Sequence, residues 1–408
     1  MTNFQRFNFI GAEEKTAVNE VMDSGILSGF IAQWGEGFFG GPKVQEFEDI
    51  SKKLFESPFA ISFNSWTSGL ISAIKALQIE PGDEIITTPW TMSATAAAIL
   101  HCGCIPIFAD IQPDTFCIDP KAVESLIGPR TRAILSVDIF GQSANTEALM
   151  ALANKHKLVV ISDSAQAPGA TRHGRQAGTL THFGGLSFNY HKQIHCGEGG
   201  LLFCNNRELA LRAQLVRNHA EVSVVGSGLD NEPGLLGFNF RMGEIEAAIC
   251  IAQLRKLNYI VAQRQRIARI LHEELSNLPG LILPKVDEGN SHSYYIFAMR
   301  ISSEHARLNR NSLVERLESK GFDFFMKSYQ NIHLLPIFQN KNAWGASGFP
   351  WNAGSSSSNF SYEKGICPVA ENLQDKEFFG IYLNSYHFTD EDIIRISTEF
   401  KTVWLSLI

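Results

Sequence analysis

The sequence contains no apolar stretch long enough to span a bilayer, and its opening residues, MTNFQRFNFIGAEEK, lack the charged-then-apolar order of a signal peptide. Membrane and secreted classes are therefore not expected, and a cytoplasmic protein is. Basic residues are in the minority, 35 Lys and Arg against 42 Asp and Glu, and they nowhere gather into a long block. The electrostatic footprint of a nucleic-acid binder is missing. Seven cysteines form an odd set without C-x-x-C pairs, which argues against a zinc site and fits reduced thiols. No metal-ligand set and no internal repeat stands out. Charged residues make up 19% of the chain against 44% hydrophobic ones, a balance too apolar for disorder and ordinary for a packed globular protein.

At 408 residues the chain exceeds what one small core organises, which predicts a large domain with a smaller second one. Residues 1–58 form an N-terminal segment: a helix-like run, EEKTAVNEVMDSG, then the irregular LSGFIAQWGEGFFGGP, a loop expected to help form a pocket. From Phe59 short apolar runs alternate with helical patterns, as in FAISFNS then TSGLISAIKALQ, EIITTP then ATAAAILHCG, and RAILSVDIF then ANTEALMALANKHK. This rhythm predicts an α/β fold with a mainly parallel sheet covered by helices over 59–257; KLVVISD is a buried strand, and GGLSF and GGLLFCN close the sheet. A long amphipathic connector helix, RMGEIEAAICIAQLRKLNYIVAQRQRIARILHEELSNL, leads into a smaller α+β C-terminal domain, so that 258–408 holds the rest of the connector and that domain. There SHSYYIFAMRI predicts a strand, NSLVERLESKG a helix and GSSSSNFSYEK a surface loop.

Ligands of open α/β sheets collect beyond the carboxyl ends of the strands, so polar residues just after strands carry the most weight. Three such places occur. In FAISFNSWTSGL a strand runs through Ser65, Trp66, Thr67 and Ser68 into a helix, offering backbone N–H groups and hydroxyls suited to a phosphate. Asp163 ends KLVVISD, where a buried carboxylate needs a cationic partner such as a protonated pyridine nitrogen. Lys192 lies in a short polar loop of GGLSFNYHKQIHCGEGGLLF, where an amine can lose its proton and attack an aldehyde. Taken singly these residues read as a helix cap, a turn former and a solvated surface charge. The glycines of GEGG lack the G-x-G-x-x-G spacing and precede a strand, which rules out a dinucleotide fingerprint.

The motifs SWTSGL, PWTMSATAAAIL, DSAQAPGA, SFNYHKQIHCGEGG, RNHAE and FNFRMGEIEAAI together resemble the DegT/DnrJ/EryC1/StrS family of sugar aminotransferases, within the fold-type I pyridoxal-phosphate enzymes. The resemblance covers nearly the whole chain. It implies a seven-stranded-type sheet, pyridoxal 5′-phosphate as cofactor, Lys192 as its Schiff-base lysine, Asp163 as partner of the pyridine nitrogen and Gln166 near the ring's phenolic oxygen. Trp66 and Thr67 would form the phosphate-binding turn, Ser187 would add a hydroxyl, and Asn239 would reach the phosphate from the neighbouring subunit of a homodimer. The family pattern usually has glycine where Trp66 stands and a ring-stacking aromatic where Met92 stands. Met92 reads either as a thioether against the ring face or as a core methionine. The implied reaction passes an amino group from glutamate or glutamine to a keto-sugar, nucleotide-linked or less often a keto-cyclitol. Tyr329 and His333, in SYQNIHLLPIF, are candidates for lining the acceptor site, with interdomain packing as their alternative. His191, His195, His101 and Cys102 carry no assigned role. Two other readings are a sugar dehydratase, whose relatives have histidine in place of the lysine, and a non-catalytic cofactor-binding regulator, for which no DNA-binding or basic segment is present.

Overall fold

A computed structural model describes residues 4–229, 235–305, 308–353 and 361–408. Seven strands form the main sheet: β1 (Phe59–Phe63), β2 (Glu84–Thr87), β3 (Ile105–Phe108), β4 (Thr131–Val137), β5 (Val159–Asp163), β6 (Phe183–Ser187) and β7 (Gly200–Cys204). Their order is β1-β7-β6-β5-β4-β2-β3. Every pairing is parallel except those of β7, which runs antiparallel to both β1 and β6. Strands β3 and β7 are buried at every residue, which is why they read as continuous apolar runs rather than alternating ones. The fold is thus the α/β arrangement the alternating pattern predicts, with a mainly parallel seven-stranded sheet.

The parallel strands release the chain at one common edge. After β1 comes the helix Trp66–Ala76, after β2 the helix Ala94–His101, and after β6 the loop that carries Lys192 back into β7. Asp163 is the last residue of β5. A second sheet of β8 (Leu281–Ile282), β9 (Ile296–Ile301), β10 (Phe325–Met326) and β11 (Phe378–Tyr382) is wholly antiparallel, ordered β8-β9-β11-β10. Helix Asp390–Leu405 packs Phe400 and Trp404 against Phe379 of this sheet.

The expected connector is a single 32-residue helix, Glu244–Leu275, about 48 Å long at 1.5 Å per residue. Ala247, Cys250 and Leu254 pack into the core behind Leu186 and Leu201 of the main sheet. Ile267, Leu271 and Leu275 enter the core around Phe297 and Phe379 of the second sheet. Residues 257 and 258 lie inside this helix, so the two cores are joined by continuous helix rather than by a loop. The chain's start also reaches its end, because Gln5–Arg6 pairs with Tyr386–His387. Of the serine-rich loop expected at 354–364, residues 354–360 lie outside the described residues.

Candidate active site

Ser65 caps the helix Trp66–Ala76 by accepting from the Ser68 N–H at 3.1 Å, and Ser68 Oγ donates in turn to Asn64 Oδ1 at 2.7 Å. The turn is thereby fixed, and the N–H groups of its first residues, Trp66 and Thr67, have no intrahelical acceptor, as at any helix start. Strand β7 passes directly beneath: a Cβ at Gly200 would lie 2.5 Å from the Trp66 nitrogen. Thr67, half-buried, and Ser187, whose Oγ accepts from the Asn189 N–H at 3.3 Å, both line a cavity of about 490 Å³ above this turn. The volume is that of an ordinary small-molecule site.

Asp163 faces the same cavity and is 6% exposed. Its Oδ1 accepts from the Trp66 indole N–H at 2.8 Å and from the Ala165 N–H at 3.2 Å, and its Oδ2 accepts from the Thr95 hydroxyl at 2.8 Å. Lys192 is half-buried, and its Nζ lies 4.9 Å from the centre of the Tyr295 ring. Burial pushes the pKa of this amine down from the usual 10.5 to about 8, against the opposing pull of the Asp163 carboxylate. A free amine near neutral pH is what attack on an aldehyde requires. Gln166 is held from both ends: its Oε1 accepts from the Phe140 N–H at 2.9 Å, and its Nε2 donates to the Tyr329 hydroxyl at 3.0 Å.

The structure therefore brings together Lys192, Asp163, Gln166, Ser187, Trp66, Thr67, Met92 and Tyr329 around one cavity. Met92 is 59% exposed there, so the core-methionine reading does not hold. His333 is elsewhere. It is fully buried, with Nε2 3.0 Å from Glu371 Oε1 and its ring against Phe108, so it packs the interior instead of lining an acceptor site. Asn239 is exposed, accepts from Arg241 Nε at 2.8 Å and lies outside this cavity of its own chain. None of residues 27–41 lines the cavity either; Trp34 and Phe39 face a separate groove with Lys52 and Arg207.

The polar lining residues that were not singled out from the sequence are Thr95, Asn189, Glu198, Tyr295 and Tyr382. Thr95 sits in the same PWTMSATAAAIL run as Met92, so a search of that run for a hydroxyl would have found it. Tyr295 and Tyr382 meet because Ile296 of β9 pairs with Tyr382 of β11, a register with no local sequence signal.

The residues present fit pyridoxal phosphate. A helix start with adjacent hydroxyls suits its phosphate, a carboxylate with both oxygens held suits its protonated ring nitrogen, and a low-pKa amine suits its aldehyde. The sequence profile of the DegT/DnrJ/EryC1/StrS aminotransferase family matches residues 9–377. GDP-perosamine synthase of Caulobacter vibrioides is 31% identical over 334 residues, 81% of this chain and 85% of that protein. Among solved structures, Helicobacter pylori PseC, an aminotransferase involved in the biosynthesis of pseudoaminic acid, is 25% identical with a TM-score of 0.81 over 99% of both chains. An aminotransferase from Psychrobacter cryohalolentis shares the fold at 24% identity, with a TM-score of 0.85 over 99% of this chain and 100% of that one. The chain belongs to the DegT/DnrJ/EryC1/StrS aminotransferase family, and it is a pyridoxal-phosphate-dependent aminotransferase.

Proposed function

We propose that this sugar aminotransferase takes its amino group from glutamate or glutamine and delivers it to a keto-sugar carried on a nucleotide. The observation that carries the reading is one cavity holding a low-pKa amine, Lys192, an oriented carboxylate, Asp163, and an anion-binding helix start at Trp66 and Thr67. The sugar class is supported by similarity to GDP-perosamine synthase and PseC. A homodimer in the cytoplasm is part of the proposal, with Asn239 reaching the phosphate in the neighbouring subunit's cavity; its exposed position suits that task. No helix among the described residues is long and apolar enough to cross a membrane.

Bound in the cavity, pyridoxal phosphate supplies an electron sink for the pair left when a bond at the amine-bearing carbon breaks. Asp163 would keep a proton on the ring nitrogen. Lys192 Nζ takes the proton from the donor's α-carbon and returns it at the other end of the shifted electron pair. In the second half-reaction the same amine moves the proton back, onto the sugar carbon that has received the nitrogen. Thr67, Ser187 and the Trp66 and Thr67 N–H groups would seat the phosphate and so hold the ring in place relative to Lys192. Gln166 would stand beside the phenolic oxygen, and Met92 would offer its thioether to the ring face. Tyr329, Tyr295 and Tyr382 form the wall against which the acceptor is expected to lie.

The test follows the visible absorption of the purified protein while glutamate or glutamine is added, with Lys192→Ala as control. Donor addition should convert the lysine-bound cofactor band to the shorter-wavelength aminated form, and a panel of keto-sugar nucleotides should then restore it. A wild type without a cofactor band, or a Lys192→Ala protein with the same band, would overturn the reading.

A further inference from the structure

We propose that Trp66 is a positioning residue for Asp163: its indole N–H locks the carboxylate that partners the cofactor's ring nitrogen, and ties that carboxylate to the phosphate turn. The proposal rests on the role given to Asp163 above. A short carboxylate at a strand end is free to rotate about its last bond unless both oxygens are held. Here the side-chain donors are the indole N–H to Oδ1 at 2.8 Å, shorter than the Ala165 N–H contact to the same oxygen at 3.2 Å, and the Thr95 hydroxyl to Oδ2 at 2.8 Å. Both donors are buried, Trp66 at 4% exposure and Thr95 at none. Both are also neutral, so they orient the carboxylate without cancelling the negative charge the ring nitrogen needs.

The indole occupies a slot made for it. A Cβ at Gly185 in β6 would lie 2.1 Å from the indole Cζ3, and one at Gly69 in the helix would lie 2.6 Å from its Cε3. Gly69 has no room for a side chain while Trp66 is present, and Gly185 is closed by the indole and by the Leu201 carbonyl oxygen, 2.2 Å from such a Cβ. Trp66, Gly69 and Gly185 therefore act as one device, and its effect follows from where Trp66 stands. The same residue contributes its backbone to the phosphate turn and its ring to Asp163. The spacing between the seat of the phosphate and the partner of the ring nitrogen is thus set within a single side chain, and the ring shields the carboxylate from water, where its hydrogen bonds would weaken.

The experiment is a double-mutant cycle of Trp66→Phe and Asp163→Asn, read by the dissociation constant of pyridoxal phosphate and by the rate of the donor half-reaction. Trp66→Phe keeps an aromatic ring and loses the N–H. It should raise the dissociation constant and slow the half-reaction by about tenfold each, the size of one hydrogen bond to a charged group, and should have a clearly smaller effect in the Asp163→Asn background, where the amide oxygen still accepts the N–H but carries no charge to orient. Equal effects in both backgrounds, or no effect in the wild type, would overturn the positioning role. An Asp163→Asn protein that binds cofactor and reacts as the wild type does would instead overturn the role of Asp163 itself. If Trp66→Phe fails to fold, the indole ¹⁵N–¹H resonances of the cofactor-free protein decide. One of the six tryptophans should shift on Asp163→Asn, and six unmoved resonances would refute the bond.

Discussion

The two walls of the active cavity are built in different ways. The main-sheet wall consists of residues at or shortly after the carboxyl ends of strands, and several of its polar side chains are held: Asp163 by Trp66, Thr95 and Ala165, Ser65 by Ser68, Ser187 by Asn189. The opposite wall is aromatic, with Tyr295 and Tyr382 brought to the edge of the antiparallel sheet by its register, and Tyr329 packed on Trp90 and Phe140. A tightly tethered polar wall suits a cofactor that must hold one orientation through every turnover. An aromatic wall with few fixed hydrogen bonds suits a substrate that comes and goes. The difference between the walls supports the proposal that chemistry and acceptor choice reside on separate elements, so substitutions should separate them.

Lys192 lies where the two walls meet, and its removal should have the largest effect. Lys192→Ala should slow transamination by roughly 10²–10⁴-fold from lost proton transfer alone. Borohydride reduction followed by peptide mass spectrometry should find cofactor on the peptide containing Lys192 in the wild type and on no lysine in the variant. The acidity of this residue supplies the next effect. Its pKa is brought down to about 8, chiefly by burial, and only the unprotonated amine attacks the aldehyde. The rate of cofactor capture by the cofactor-free protein should therefore be level above about pH 8 and fall about tenfold per unit below it. A rate still rising at pH 10 would mean that the lysine is solvated like any surface amine.

The polar wall was legible in the sequence because its parts are local. Strands buried on both faces appear as apolar runs, and the residue after each run sits at the functional edge, which singles out Ser65 to Thr67, Asp163 and Lys192 without knowledge of pairing. The aromatic wall was not legible in the same way. Tyr295 and Tyr382 are 87 residues apart in sequence and meet only through the Ile296 to Tyr382 register. The indole contact of Trp66 with Asp163 spans 97 residues, so the turn was readable and the side chain's second task was not. For His333 the packing alternative is the one the structure supports; a histidine gives no local sign of its burial, and Glu371, which partners its Nε2, lies 38 residues away.

His333 offers a control that belongs to neither wall. It is fully buried, and Glu371 is its partner. His333→Ala leaves a buried carboxylate short of a donor and should cost about 1–3 kcal/mol of stability, read as a lower midpoint in urea at unchanged slope. The cofactor dissociation constant and the acceptor KM should both stay at their wild-type values. A selective rise in acceptor KM would return His333 to the substrate site.

The smallest effects draw the sharpest line between the walls, because each removes a single hydroxyl. Ser187→Ala deletes from the polar wall the hydroxyl proposed to donate to the phosphate and should weaken cofactor binding by about tenfold, the low end for one hydrogen bond to a charged group. It should leave the ratio of kcat/KM values for two different keto-sugar nucleotides as it was, since the proposed sugar site is on the aromatic wall. Tyr329→Phe keeps the ring on Trp90 and Phe140 but removes the oxygen that accepts from Gln166. Its consequence should be the reverse: a cofactor dissociation constant within about twofold of wild type and a changed ratio between the two sugars. Should Tyr329→Phe instead weaken the cofactor as much as Ser187→Ala does, the Gln166–Tyr329 pair would have to be counted with the cofactor's tethers. The aromatic wall would then begin at Tyr295.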